Sequence, residues 1–112
     1  MPSIKRAKEV KAEKTTNEWF DLRFPLMRVK LNLRGRRGWP DQGYFIPGGR
    51  PFFIEFKADG EEPSELQRAI HRRLKENGYD VEVHTEAIAA IAAIKSRLEP
   101  PALHDRRGAI PA

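Results

Sequence analysis

Short stretches rich in apolar residues mark three segments in the first half of the chain, and each is predicted to be a β-strand; in the first of them apolar and polar residues alternate. The segments are residues 27–33, 43–47 and 51–57, and the turn signal Pro47-Gly48-Gly49 separates the last two. The first strand is predicted to be half-buried, with an apolar face formed by Met27, Val29, Leu31 and Leu33. Because the connections are short, we expect the three strands to pair as a meander.

Helical periodicity dominates the second half of the chain. Ser64 and Gln67 have the spacing of a capping box, which predicts a helix that begins there and ends at Asn77-Gly78. A fourth strand over residues 79–84 follows, and a last helix begins after Thr85. Because the fourth strand arrives through a helical crossover, we expect it to join the sheet in parallel.

The N-terminal part of the chain is basic and has little apolar surface. Residues 3–14 are compatible with a helix, but they offer almost no apolar face that could pack. Thr16-Asn17 is a candidate N-cap, which predicts a short aromatic helix from Glu18 to Phe24 that Pro25 ends.

The predicted fold class is α/β, with a mixed sheet of about four strands flanked by helices in the order α-β-β-β-α-β-α. We expect a basic N-terminal arm over residues 1–14, a folded domain over residues 15–99 and a flexible tail over residues 100–112.

Composition excludes several classes of protein. The chain has 112 residues, enough for one domain, and no cysteine, which excludes a disulfide scaffold, a cysteine zinc site and a thiol nucleophile. No apolar run approaches the roughly 20 residues that span a bilayer. The first residues carry charge but no apolar core of a signal peptide. We therefore expect a cytoplasmic protein.

Charge is distributed unevenly along the chain. The net charge is +5, and residues 1–37 carry eleven Lys and Arg against four Asp and Glu. An asymmetry of this kind suits a nucleic-acid partner, although a solvated lysine-rich end would produce the same count.

The residues best suited to catalysis or metal binding lie on or next to the second and third predicted strands. Glu55 and Lys57 share one face of an otherwise apolar strand, where burying charge is costly. Pairing of the two strands about the turn near Gly48 would return Asp41 to the same end, roughly opposite residue 56. Two carboxylates and a lysine are therefore predicted to converge at one edge of the sheet.

Such a trio suits a hard divalent cation. Two neighbouring carboxylates repel each other and bind Mg²⁺ or Mn²⁺ through oxygen, and the backbone carbonyl of Phe56 would be a natural further ligand. A bound ion activates water and neutralises charge on a phosphodiester, while Lys57 could orient that water or stabilise the transition state. The alternative is a surface ion pair of Glu55 and Lys57 beside a turn aspartate.

Three blocks of sequence resemble the virus-type replication-repair nuclease (VRR-NUC) domain of the PD-(D/E)xK superfamily, in its stand-alone form. They are residues 36–41 (RRGWPD), 48–57 (GGRPFFIEFK) and 63–67 (PSELQ), within a resemblance that runs from about Arg28 to Leu98. The resemblance implies a restriction-endonuclease-like fold and a metal-dependent DNA endonuclease. It also implies a homodimer that selects branched DNA such as Holliday junctions.

The same resemblance assigns roles to individual residues. It implies that Asp41 and Glu55 bind the metal and that Lys57 is the catalytic lysine. It further implies a role near the site for Gln67, which can also act as the partner of Ser64 in the capping box. Family members often add a glutamate from the first helix. Glu18 is the candidate here, with Glu13 and Glu9 as weaker choices.

Basic residues precede the acidic trio. Arg34, Arg36 and Arg37 form a loop directly before Asp41, and Lys30 lies on the polar face of the first strand. Contact with DNA phosphates is the functional interpretation, and a solvated loop is the alternative.

Other functions stay open at this point. The chain could cut duplex or single strands without preferring junctions, or act on RNA. It could instead be a non-catalytic module that binds nucleic acid. The three histidines, His71, His84 and His104, lack the spacing of a helical zinc pair.

Overall fold

The structure is a computed structural model that describes residues 4–33, 35 and 37–98. Its elements are α1 (Ile4–Arg23), β1 (Arg28–Lys30), β2 (Gln42–Tyr44), β3 (Phe52–Phe56), α2 (Glu65–Glu76), β4 (Asp80–His84) and α3 (Ala87–Leu98). The predicted fold class and order of elements are confirmed. None of the helices in these ranges is long and apolar enough to cross a membrane.

The four strands form one mixed sheet in the order β1-β2-β3-β4. β1 and β2 are antiparallel, as are β2 and β3, whereas β3 and β4 are parallel. The turn between β2 and β3 uses Gly48 at φ 73°, a left-handed conformation that favours glycine. A hydrogen bond of 3.0 Å from the Gly49 nitrogen to the Ile46 carbonyl closes it. This turn sets the register that pairs Gln42 with Ile54.

The sheet separates two apolar layers because the side chains of β3 alternate between its faces. Phe52, Ile54 and Phe56 pack with residues of α1 and α3 in the larger core. Phe53 faces the other way and packs with Leu74 of α2 in a smaller core. Glu55 belongs to the second face, so α2 lies on the side of the sheet that bears the acidic side chain.

The first helix is longer than predicted, and the prediction of a separate short helix from Glu18 to Phe24 is wrong. Ala12, Thr16 and Phe20 are buried at intervals of four residues, so one apolar stripe crosses the expected boundary. The Thr16 hydroxyl donates to the Ala12 carbonyl at 2.8 Å, inside the helix, and does not cap a new one. α1 therefore runs unbroken from Ile4 to Arg23.

The apolar face predicted for the first strand is mostly open. β1 contains only three residues and is an edge strand, and Val29 is 44% exposed. Met27 and Leu33 are exposed as well, while Leu31 packs beside Phe53. The prediction that this face of the first strand is half-buried is wrong, because α2 packs against β4, at the opposite edge of the sheet.

Removing the aromatic ring that α1 inserts into the core should destabilise the protein. Phe20 is fully buried, with its ring centroid 5.0 Å from that of Phe24 and 5.1 Å from that of Tyr44. We expect Phe20→Ala to lower the free energy of unfolding by about 3–5 kcal/mol, measured by urea denaturation. Leu22→Ala, at an 82% exposed position of the same helix, should change it by less than about 0.5 kcal/mol. Equal effects would contradict this packing.

Candidate active site

Asp41 and Glu55 meet where β2 begins and β3 ends. Gln42 pairs with Ile54, so the next pair outward would be Asp41 and Glu55. Both residues are buried, with 5% and 2% of their surfaces exposed. The Asp41 Oδ2 atom accepts a hydrogen bond of 2.7 Å from the backbone nitrogen of Phe56, so the carboxylate covers a strand position that β2 leaves unpaired.

The electrostatic environment of Asp41 disfavours its charged form. Burial is the larger cause and the neighbouring charge of Glu55 the next, and together they raise the pKa of Asp41 from 3.8 to about 7. Two hydrogen bonds to its carboxylate oppose this shift: the one from Phe56, and one of 2.9 Å from the Asn32 side-chain nitrogen to Oδ1. The site therefore holds two neighbouring carboxylates, and the charge of Glu55 disfavours the charged form of Asp41.

Glu55 is held from the side of α2. The Gln67 Nε2 atom donates to Glu55 Oε2 at 3.0 Å. The same amide accepts from the Ser64 nitrogen through Oε1 at 2.8 Å, so Gln67 both closes the capping box and contacts the site. The other oxygen, Glu55 Oε1, is buried and has no hydrogen-bond partner in the part of the chain that the structure describes.

Lys57 lies just beyond β3, and its backbone nitrogen donates to the His84 carbonyl at 3.0 Å. This bond continues the parallel pairing with β4 and fixes where the lysine side chain begins. The side chain is mostly buried, and its Nζ atom lies 3.9 Å from Glu55 Oε2. An ammonium group is thereby held beside the acidic pair.

The donor set at this edge fits a divalent cation. Glu55 Oε1 is a buried acceptor without a hydrogen-bond partner among the described residues, and a cation would relieve the repulsion between Glu55 and Asp41. The Phe56 carbonyl faces the side of β3 on which Asp41 lies, because the N–H and C=O of one strand residue point the same way. The described residues contain no group of three or more His, Cys, Asp and Glu arranged to hold a metal. An ion here would therefore complete its shell with water.

The structure does not bring Glu18 to this cluster. Glu18 is exposed and lies about 140° around the axis of α1 from Glu13. Two other α1 glutamates lie closer to the site. The Glu13 Oε2 atom accepts from the Gln42 side chain at 2.7 Å and its charge contributes to the raised pKa of Asp41, while the charge of Lys57 acts on Glu9. Glu18 was chosen because it lies on the predicted short aromatic helix, and the structure replaces that helix with the continuous α1.

Glu13, Asn32 and His71 are site residues that sequence reasoning missed or ranked too low. His71 has the clearest signal in hindsight, because it follows Gln67 by one helical turn and so shares its face. Asn32 gave no signal of its own, because it is an exposed polar residue beside Leu31 that reaches Asp41 from another segment of the chain.

The predicted phosphate-contacting residues are only partly described. Lys30 lies exposed on β1, opposite Gln42, and Arg37 is exposed in the loop that leads to Asp41. Arg34 and Arg36 lie outside the described residues.

Comparison with known proteins gives one partial similarity. No protein-family model matches the chain. Over 47 residues the chain is 45% identical to the protein named "Putative nuclease p44" of Acyrthosiphon pisum secondary endosymbiont phage 1. The match covers 42% of this chain and 50% of that protein, so the chain spans about half the length of the curated relative it matches.

Without divalent metal, the free energy of unfolding should carry a pH dependence that originates at Asp41. The raised pKa stabilises the folded state fully below pH 3.8, and this contribution is lost as the pH rises through about 7. We expect the stability of the wild type, measured by urea denaturation in chelator, to fall over this range more steeply than that of Asp41→Asn. Parallel curves for the two proteins would contradict the assignment.

Proposed function

We propose that this protein is a divalent-metal-dependent nuclease that hydrolyses phosphodiester bonds of DNA. The observation that carries the proposal is the buried edge where Asp41, Glu55 and Lys57 converge, with one carboxylate oxygen left unpartnered among the described residues. The partial similarity to a phage protein named as a nuclease supports the same activity.

Each site residue has a distinct part in the proposed reaction. Asp41, Glu55 and the Phe56 carbonyl would hold Mg²⁺ or Mn²⁺. The bound ion would lower the pKa of a water molecule and neutralise charge that develops on the phosphodiester. Lys57 would donate to the attacked phosphate or orient the attacking water, because its ammonium group is held beside the acidic pair. Gln67 keeps Glu55 in place.

Glu13 would extend the acidic site from α1. Its Oε2 atom accepts from the Gln42 side chain and its charge acts on Asp41, whereas Glu18 is exposed and lies about 140° away around the axis of α1. We propose that Glu13, in place of Glu18, contacts the ion directly or through a water molecule.

We further propose a substrate preference and an oligomeric state for this protein. The resemblance to VRR-NUC nucleases suggests a homodimer that prefers branched DNA, because two symmetric sites can address two strands of a junction. Exposed apolar side chains, among them Val29 and Leu33, are compatible with a partner subunit. Lys30 and Arg37 would contact phosphates near the site, with Arg34 and Arg36 as further candidates from the sequence.

Cleavage should depend on Lys57 and on a divalent metal. We expect wild-type protein to cut labelled DNA in Mg²⁺ or Mn²⁺ and not in chelator, and Lys57→Ala to lower kcat by about 100-fold or more. Lys75→Ala is the matched control, because Lys75 is exposed on α2. If both wild type and variant bind DNA but cut no substrate in any metal, the protein is a binding module and the proposed activity is wrong.

Branched DNA should be cut faster than linear DNA of the same sequence. We expect a four-way junction to be cleaved faster than a linear duplex or a single strand, and sedimentation to give the mass of a dimer. Equal rates on all three substrates would contradict the junction preference while leaving the nuclease activity intact. A monomer that cuts junctions would overturn the proposed symmetric assembly.

A further inference from the structure

One buried histidine has no part in the reaction proposed above. His71 is 8% exposed, and its Nε2 atom lacks a hydrogen-bond partner in the described ranges. This atom lies 3.7 Å from Glu55 Oε1, which is also buried and likewise has no hydrogen-bond partner in the part of the chain that the structure describes. Most buried polar atoms in proteins form hydrogen bonds, so two facing atoms that do not form one require an explanation.

The helix α2 places His71 where it can complete the environment of Glu55. Gln67 and His71 are one turn apart, on the same face of α2. Gln67 donates to one oxygen of the carboxylate at 3.0 Å, and His71 faces the other. An N–H···O hydrogen bond is about 2.9 Å long, so a shift of about 0.8 Å would close the gap.

A donor on this side of Glu55 has a physical purpose. The charge of Asp41 repels Glu55, and only Gln67 makes a hydrogen bond to the Glu55 side chain among the described residues. A carboxylate that is to bind a cation together with its repelling neighbour must be kept from turning away. Each carboxylate oxygen has two lone pairs, so Oε1 can accept from His71 and still bind a metal.

We propose that His71 is a positioning residue, whose Nε2–H group donates to Glu55 Oε1 when a divalent cation occupies the site. His71 and Gln67 together allow α2 to hydrogen-bond both carboxylate oxygens of Glu55. This inference rests on the proposed function, because the hydrogen bond is of use only if Glu55 binds metal. His71 itself acts through Glu55 and touches neither the ion nor the substrate.

The test compares Mn²⁺ affinity, stability and cleavage in matched variants. His71→Leu keeps the bulk and removes the donor, whereas His71→Gln keeps a side-chain N–H at similar reach. Arg72→Leu is the control, because Arg72 is exposed on the same helix. Mn²⁺ binding is measured by electron paramagnetic resonance, unfolding by heating in chelator, and cleavage by kcat and KM.

We expect His71→Leu to weaken Mn²⁺ binding by about 10- to 100-fold, the effect typical of groups that orient metal ligands. Its melting temperature in chelator should not fall, because an unpartnered buried nitrogen has been replaced by an apolar group. His71→Gln should regain most of the affinity, and Arg72→Leu should match the wild type. In cleavage, His71→Leu should lose kcat at low Mn²⁺ and regain much of it at saturating Mn²⁺, with KM for DNA unchanged.

Failure of this role can be distinguished from failure of the proposed function. If the wild type binds Mn²⁺ and cuts DNA, and His71→Leu does both equally well, the role of His71 is wrong and the nuclease stands. If His71→Leu loses stability in chelator and affinity in proportion, His71 is a packing residue. A wild-type protein that neither binds Mn²⁺ nor cuts DNA overturns the proposed function, and this role with it.

Discussion

The repulsion between two buried carboxylates, Asp41 and Glu55, is the constraint around which the rest of the site is arranged. Burial and mutual charge disfavour having both ionised, and the raised pKa of Asp41 expresses that cost. Each carboxylate is tied to a different part of the fold: Asp41 to the Asn32 side chain and the backbone of Phe56, and Glu55 to α2 through Gln67. Keeping both carboxylates charged and close together lowers the stability of the metal-free protein, and a bound cation would offset this loss.

On the opposite face of the sheet, a chain of polar contacts ties α1 to the same edge. Gln42 is buried and donates to Glu13, while its oxygen accepts from the Arg28 guanidinium at 2.8 Å. Arg28 is in turn bonded to both carboxylate oxygens of Asp21, at 3.0 and 2.6 Å, which raises its own pKa. The unbroken α1 makes this possible, because Glu13 and Asp21 then lie on one rigid element. Helices on both faces of the sheet therefore contact the end of β2 and β3 at which the two carboxylates lie. α1 does so through Glu13 and α2 through Gln67.

Local signals in the sequence were sufficient for the hairpin and for α2. The turn at Gly48 and the capping box of Ser64 and Gln67 act over a few residues, so the hairpin of β2 and β3 and the start of α2 followed from them. The register differs by one residue from the prediction, because it places Asp41 opposite residue 55 and not 56. The length of α1 could not be predicted in this way, because Thr16 has the residue type of a cap but bonds to Ala12 within the helix. The roles of Glu13 and His71 depend on contacts between distant segments of the chain. Glu13 contacts Gln42, and His71 lies beside Glu55.

The most direct test of the cation site is a crystal structure of the wild-type protein soaked in Mn²⁺, with the anomalous signal of manganese recorded. We expect one or two strong peaks at the buried edge, with Mn²⁺ about 2.0–2.4 Å from oxygens of Asp41 and Glu55 and from the Phe56 carbonyl. If no peak lies there at saturating Mn²⁺, and both carboxylates keep only their protein partners, Asp41 and Glu55 are a structural pair and the proposed cation site is wrong.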